Sequence, residues 1–356
     1  MLDKREPLCR IVPRRWGLRG IRNIGMLNRS RRVVLAAVLA AGLSGVASGI
    51  LAAQEFPSRP IEFIVPWGPG GGADQVARKL AKLMEPRLKV SMPVINVPGA
   101  TGQTGLTKML TGPADGYAIS VFIGDTFALQ AGTPAPKWTM QDIEPLGVVI
   151  QQASAFLVQE GGRFKDWADL EKAARAERMR VGVTGFGSND DLTANFLAKK
   201  GLKFSSVPFP KPGERYSAVL GGHAEVLYEQ VGDVRSFVDG KQMRPVILFA
   251  DKRDPSFPDV PTSVELGHKV TLPQFRAIVV KSGTDAKIVK TLADALAEAA
   301  RDPEYVAYLK DQYAAADSFV PAAETRAFLD NELKAMKQLI ASSGVTQDSS
   351  QSEPKK

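Results

Sequence analysis

One cysteine and two histidines are all that 356 residues provide for soft-metal and thiol chemistry: Cys9, His223 and His268. A single thiol excludes a disulfide framework. The histidines stand apart, one in GGHAE and one beside Gly267, so neither a two-histidine metal motif nor a cysteine-containing metal site can be assembled. The body of the chain also lacks a G-x-S-x-G elbow, and a serine hydrolase would have to recruit one of these isolated histidines. No catalytic residue, metal or cofactor is therefore expected. Nucleic-acid binding is disfavoured as well, although the formal charge of +8 first suggests it. Ten of the 46 Lys and Arg but only two of the 38 acids fall in residues 1–53, which leaves equal numbers of each sign in residues 54–356.

That basic segment has the layout of an export signal. Arg29, Arg31 and Arg32 precede an uncharged stretch from Val33 to Ala53 that ends in small residues. Cleavage is expected near Ala52 or Ala53, with an uncleaved membrane anchor as the competing reading. Ser30-Arg31-Arg32 resembles a twin-arginine signal with valine in place of the usual phenylalanine. Met26 would make a more usual start than Met1. Cys9 lies in this leader, so the exported body is stabilised without disulfides.

What the body does have is alternating periodicity. IEFIV (61–65) is a short apolar run, and after a glycine-rich loop Val76, Ala77, Leu80, Leu83 and Met84 share one helical face that Pro86 is expected to end. PVINV, a short helix and YAISVFI continue the pattern, which predicts βαβ units on a mainly parallel sheet. A second series runs from the apolar LGVVIQQASAFLVQ to RPVILFA (244–250), and FRAIVV (275–280) is expected to return the chain to the first unit. Three helices follow, over 287–300, 303–312 and 322–341, before a polar tail. The implied division is a leader (1–53), a first lobe (54–155 and 275–342), a second lobe (156–274) and a tail (343–356).

The loop VPWGPGGGADQVAR (65–78) carries the chemistry. Gly68-Pro69-Gly70-Gly71-Gly72-Ala73 has the G-x-G-x-x-A spacing of a dinucleotide fold, but Asn96 stands where the ribose-binding acid is needed. A phosphate loop needs Gly-Lys-Ser/Thr, whereas this chain enters its helix as Gly72-Ala73-Asp74. What remains is a set of unobstructed N–H groups at a positive helix end, which suits one carboxylate. The competing reading is a tight turn with Asp74 as helix cap. GVTGFGSND offers a second such end, with Gly187, Ser188 and Asn189 before a helix, and two facing ends would hold an anion without an arginine; the competing reading is Ser188 or Asn189 as an ordinary N-cap, which does not exclude binding.

FPSRPIEFIVPWGPGGGADQVAR, VPGATGQTGL, ADGYAISVF, VGVTGFGSNDDL, VPFPKPGERYSAVLGGHAEVLYE and PDVPTSVELG, in this order, resemble the solute-binding proteins of tripartite tricarboxylate transporters, the Bug or TctC-like family. The resemblance covers roughly residues 56–342. It implies a two-lobed α/β periplasmic binding protein of the type II, Venus-flytrap kind. Such a protein is monomeric, closes on a small organic acid and delivers it to membrane permease subunits. Transferred onto this chain, the carboxylate-holding loops are Trp67, Gly68, Pro69, Gly70, Gly71, Gly72 and Asp74 in one lobe and Gly185 to Asp190, with Phe186, in the other. Asp125-Thr126 and Tyr228-Glu229 are further contributors. Asp125 departs from the family's usual Gly-Thr-Ser-Gly-Thr-like run, and 209–213 from its usual loop. A carboxylate at Asp125 or Glu229 disfavours a polyanion and favours an acid that also bears hydroxyl, amine or amide donors, unless these acids face solvent or an ion pair. A sensor that signals to a membrane kinase without transport is the alternative function, and a nucleotide-using enzyme a remote one.

Overall fold

A computed structural model describes residues 55–132, 137–272, 274–315 and 317–343; the expected export signal and nearly all of the expected tail lie outside them. The first series is β1 (Glu62–Val65), α1 (Gly72–Leu88), β2 (Val94–Asn96), α2 (Gln103–Thr111), β3 (Ala118–Ile123), α3 (Gly124–Gly132) and β4 (Ile143–Gln152). The second is β5 (Ser154–Gln159), α4 (Trp167–Ala176), β6 (Met179–Val183), α5 (Asn189–Lys199), β7 (Phe204–Pro208), α6 (Pro212–Leu220), β8 (Val226–Gln230), α7 (Arg235–Asp239) and β9 (Met243–Phe249). The chain closes with β10 (Gln274–Lys281), α8 (Ala286–Ala300), α9 (Pro303–Asp311), β11 (Val320–Pro321) and α10 (Ala322–Ser343).

Two sheets result, ordered β11-β4-β10-β3-β1-β2 and β7-β6-β8-β5-β9. Both are mixed. Strands joined through helices pair in parallel, β2-β1-β3 and β7-β6-β8, because a parallel partner needs a crossover. The strands that pass between the sheets, β4, β5 and β10, pair antiparallel. The expected single apolar run 146–159 is two strands in different sheets, separated only by Ala153.

Alternation along the strands places a core on each face. Phe63 and Val65 join the cluster under α1 and α8, while Ile64 joins the cluster under α2 and α10. In the second sheet Phe156 and Val158 face one core and Ala155 and Leu157 the other. Helix α1 does not stop at Pro86 as expected but continues to Leu88 and ends at Lys89, in the left-handed region with φ 57°. Proline costs a helix one N–H and crowds the carbonyl one turn back, which a last turn tolerates when only two residues follow. Helix α10 is shared: Leu329 sits in the first lobe, while Met336 and Ile340 reach the second lobe's core.

Candidate ligand site between the lobes

The glycine loop ends at Gly71, the N-cap of α1, which gives no side-chain cap. Gln75 N donates to Gly71 O at 3.0 Å, so the N–H groups of Gly72, Ala73 and Asp74 have no intrahelical acceptor. Asp74 faces inward beneath the loop. Its Oδ2 accepts from Gly70 N at 3.0 Å, and Arg78 pairs with it at 2.9 Å. Asn96, at the position of the missing ribose acid, donates Nδ2 to Trp67 O at 2.9 Å and to Asp74 Oδ1 at 3.0 Å. Burial pushes the Asp74 carboxyl up, but the bonds from Arg78, Gly70 and Asn96 prevail and hold it low. This network ties the loop to β2 and gives both Asp74 oxygens partners within the protein.

Lobe 2 closes against that loop. A Cβ on Gly72 would lie 2.1 Å from both carboxylate oxygens of Asp233, one on Gly71 2.6 Å from Pro212 Cγ, and one on Gly68 3.3 Å from Pro212 Cδ. The glycines are needed for this approach. Asp233 follows β8, so a lobe-2 carboxylate sits over the positive end of α1.

The reciprocal contact exists at α5. There Asp125, at the start of α3 after β3, accepts from Asn189 N at 3.2 Å and from Gln274 Nε2 at 3.1 Å. Burial pushes the Asp125 carboxyl up despite both bonds. The remaining donors of the second loop are largely used internally: Gly187 N donates to Asp191 Oδ2 at 2.8 Å and Thr184 N to Asp190. Ser188 is the N-cap of α5. Burial, and then the Asp125 charge, push Asp190 well above the usual carboxylate range. Each helix end expected to receive a ligand carboxylate is thus covered by a carboxylate of the opposite lobe.

Between these contacts lies a cavity of about 30 Å³, room for about two water molecules. Trp67, Gly71, Gly72, Asp125 and Glu229 line it, as do three charged residues that sequence reasoning missed: Arg215, Asp233 and Arg276. Two arginines thus stand beside helix ends expected to hold an anion without one. Arg215, on α6, pairs with Glu229 through Nη2 and donates Nη1 to Phe209 O at 3.1 Å; Tyr216 Oη also donates to Glu229, at 3.0 Å. Arg276 pairs with Asp233 and donates to Gln152 Oε1 at 2.6 Å and Gln230 Oε1 at 3.2 Å. Burial pushes the Asp233 carboxyl up, against the pull of Arg276, to about 6. Arg276 had a readable signal: a lone charge inside the apolar FRAIVV of a buried strand must find a partner. Asp233 and Arg215 had none.

Of the other expected contributors, Glu229 alone is among the cavity's lining residues. Pro69 and Gly70 are exposed, and Phe186 is 44% exposed at the cleft rim. Tyr228 is buried in the lobe-2 core, stacked on Phe249 with centroids 5.4 Å apart. Thr126 is buried, as is Asn189, and the side-chain polar atoms of both lack partners. Glu229 does not face solvent; it is the buried partner of Arg215.

The family model described as the tripartite tricarboxylate transporter family receptor matches residues 76–345. Protein BugT of Bordetella pertussis is 27% identical over 89% of this chain and 99% of its own length. The solved periplasmic binding protein BugD superposes with a TM-score of 0.77 at 22% identity, covering 82% of this chain and 99% of that one. MatC from Rhodopseudomonas palustris, solved with bound malate, gives 0.74 at 22% identity, over 80% of this chain and all of its own. These structures share the two-lobed fold, and the family consists of receptors rather than enzymes. The chain belongs to the receptor family of the tripartite tricarboxylate transporters.

Proposed function

We propose that this protein is a periplasmic receptor that captures a small organic carboxylate between its lobes and hands it, as a monomer, to permease subunits of a tripartite transporter. One observation carries the reading: the protein's own carboxylates meet the helix ends that face the cleft, Asp125 accepting from the first turn of α5 and Asp233 standing against Gly72 at the start of α1. A helix N-terminus that attracts an internal carboxylate can exchange it for one from solution. The cavity is too small for an organic acid as it stands, so a ligand is admitted by lobe separation and then enclosed. MatC, of the same fold, holds malate. The leader delivers the receptor to the periplasm.

A thermal-shift screen of carboxylic acids against nucleotides tests this, since a ligand that binds the native state raises the melting temperature by mass action. Several acids should stabilise the protein, and titration calorimetry should give stoichiometric binding. Stabilisation by nucleotides alone, or by no acid, would refute the reading.

A further inference from the structure

Resting on the carboxylate-receptor reading, we infer that the ligand is a zwitterion, an α-amino acid, whose ammonium group is received by Asp233. The site has unused groups of both kinds. Trp67 Nε1, Arg215 Nε and Arg276 Nε are buried donors without partners, and the N–H groups that begin α1 lack intrahelical acceptors. Asp233 Oδ1 is a buried anionic acceptor without a partner, although the side chain is only 2% exposed. A ligand made only of carboxylates would satisfy the donors and leave Asp233 Oδ1 bare.

The charges agree. Asp125, Glu229 and Asp233 line the cavity against Arg215 and Arg276, and both arginines are already paired with Glu229 and Asp233. The Arg276–Asp233 pair spans the lobes and parts when they open, but the lining still holds one acid more than it has cations, so a dianion adds to that excess and a zwitterion does not. Close like charges in a partly shielded site lower affinity by about a hundredfold or more.

The placement narrows the class further. The Asp233 oxygens lie 2.1 Å from where a Gly72 Cβ would stand, so the anion-binding helix end and the bare acceptor are immediate neighbours. An ammonium one carbon away from its carboxylate keeps the two groups adjacent, as the helix end and Asp233 are adjacent across the cleft. When the lobes part, Asp233 withdraws from Gly72; the ligand's carboxylate then takes the helix end and its ammonium takes Oδ1.

Titration calorimetry on the purified protein tests this with matched sets: each common amino acid, its 2-hydroxy and des-amino analogues, malate and succinate, and 3-aminopropanoate as an ω-amino control. The preferred amino acid should bind about a hundredfold or more tighter than its des-amino analogue, and Asp233→Asn should remove most of that difference. Equal or tighter binding by the hydroxy or des-amino analogue, by a dicarboxylate or by the ω-amino acid overturns the inference and leaves a carboxylate receptor. Failure of every acid overturns the underlying reading instead. An amino preference that survives in Asp233→Asn overturns the assignment to Asp233. If that variant does not fold, Asp233→Ser offers a second route, and the wild-type panel alone decides the ligand class.

Discussion

Replacing Gly72 with alanine puts a methyl carbon 2.1 Å from Asp233 Oδ1 and Oδ2, well inside contact distance. Asp233 cannot swing aside cheaply, because removing a partner from a buried ion pair such as Asp233–Arg276 costs about 3–5 kcal/mol. Arg276 belongs to the first lobe, so parting the lobes strains the same pair, and the closed form that must accommodate the methyl is destabilised by about 1–3 kcal/mol, the usual scale of overpacking. That energy is charged against every closure, so ligand affinity should fall about tenfold to a hundredfold. Folding should not suffer, since alanine at a helix position is better than glycine by up to about 1 kcal/mol. Gly70→Ala is the counterpart. Nothing lies within 4 Å of its Cβ position, but φ is +85°, so strain of about 1–2 kcal/mol should appear in stability and not in closure. Small-angle scattering of the unliganded variants, with urea unfolding and ligand titration, separates the two effects. The reasoning fails if Gly72→Ala keeps both the scattering radius and the affinity of the wild type.

Three further outcomes follow from the buried polar groups. Asp233 has a folded pKa raised to about 6 from 3.8, so its contribution to stability is full below pH 3.8 and is lost as pH rises through about 6. Arg276, Glu229, Arg215, Tyr216 and Tyr308 are the charged and titratable groups acting on it. Asp233→Asn should flatten the urea-unfolding profile between about pH 4 and 6 relative to wild type; parallel profiles would contradict this. Arg215→Met leaves Glu229 buried without its cation and should cost about 3–5 kcal/mol, while Arg215→Met with Glu229→Leu should recover much of it, read by denaturant melts. Trp67→Phe removes an N–H that has no partner but also empties part of a buried apolar cluster, so stability should fall by about 1–3 kcal/mol. If that N–H serves the ligand, affinity should fall by about tenfold in titration calorimetry.

Elements were readable where periodicity was strong. The apolar face of α1, the runs of β1 and β3, and the helices α8 to α10 stand at their expected places because burial on one face writes itself into spacing. The break at Ala153 was not readable, since buried strands in two different sheets look alike in sequence. Within the site, the two glycine loops were visible from composition. The acids that cover them were not, because Asp233 lies over 150 residues from Gly72 and meets it only through lobe closure. The PKPG segment is unusual in sequence, but its consequence, Pro212 seated against Gly71, arises only from the approach of the lobes.

Helix α10, with Leu329 in one core and Met336 in the other, constrains the mechanics of opening. A wide sliding motion would drag Met336 out of its apolar surroundings, at about 1.5–3 kcal/mol for such a side chain. Rotation about an axis near Ala153 and the far end of α10 spares it. Distance labels placed across the cleft mouth should therefore report a large change on binding, while a pair placed along α10 and the lobe-2 core should stay silent, giving the receptor an internal ruler for its own motion.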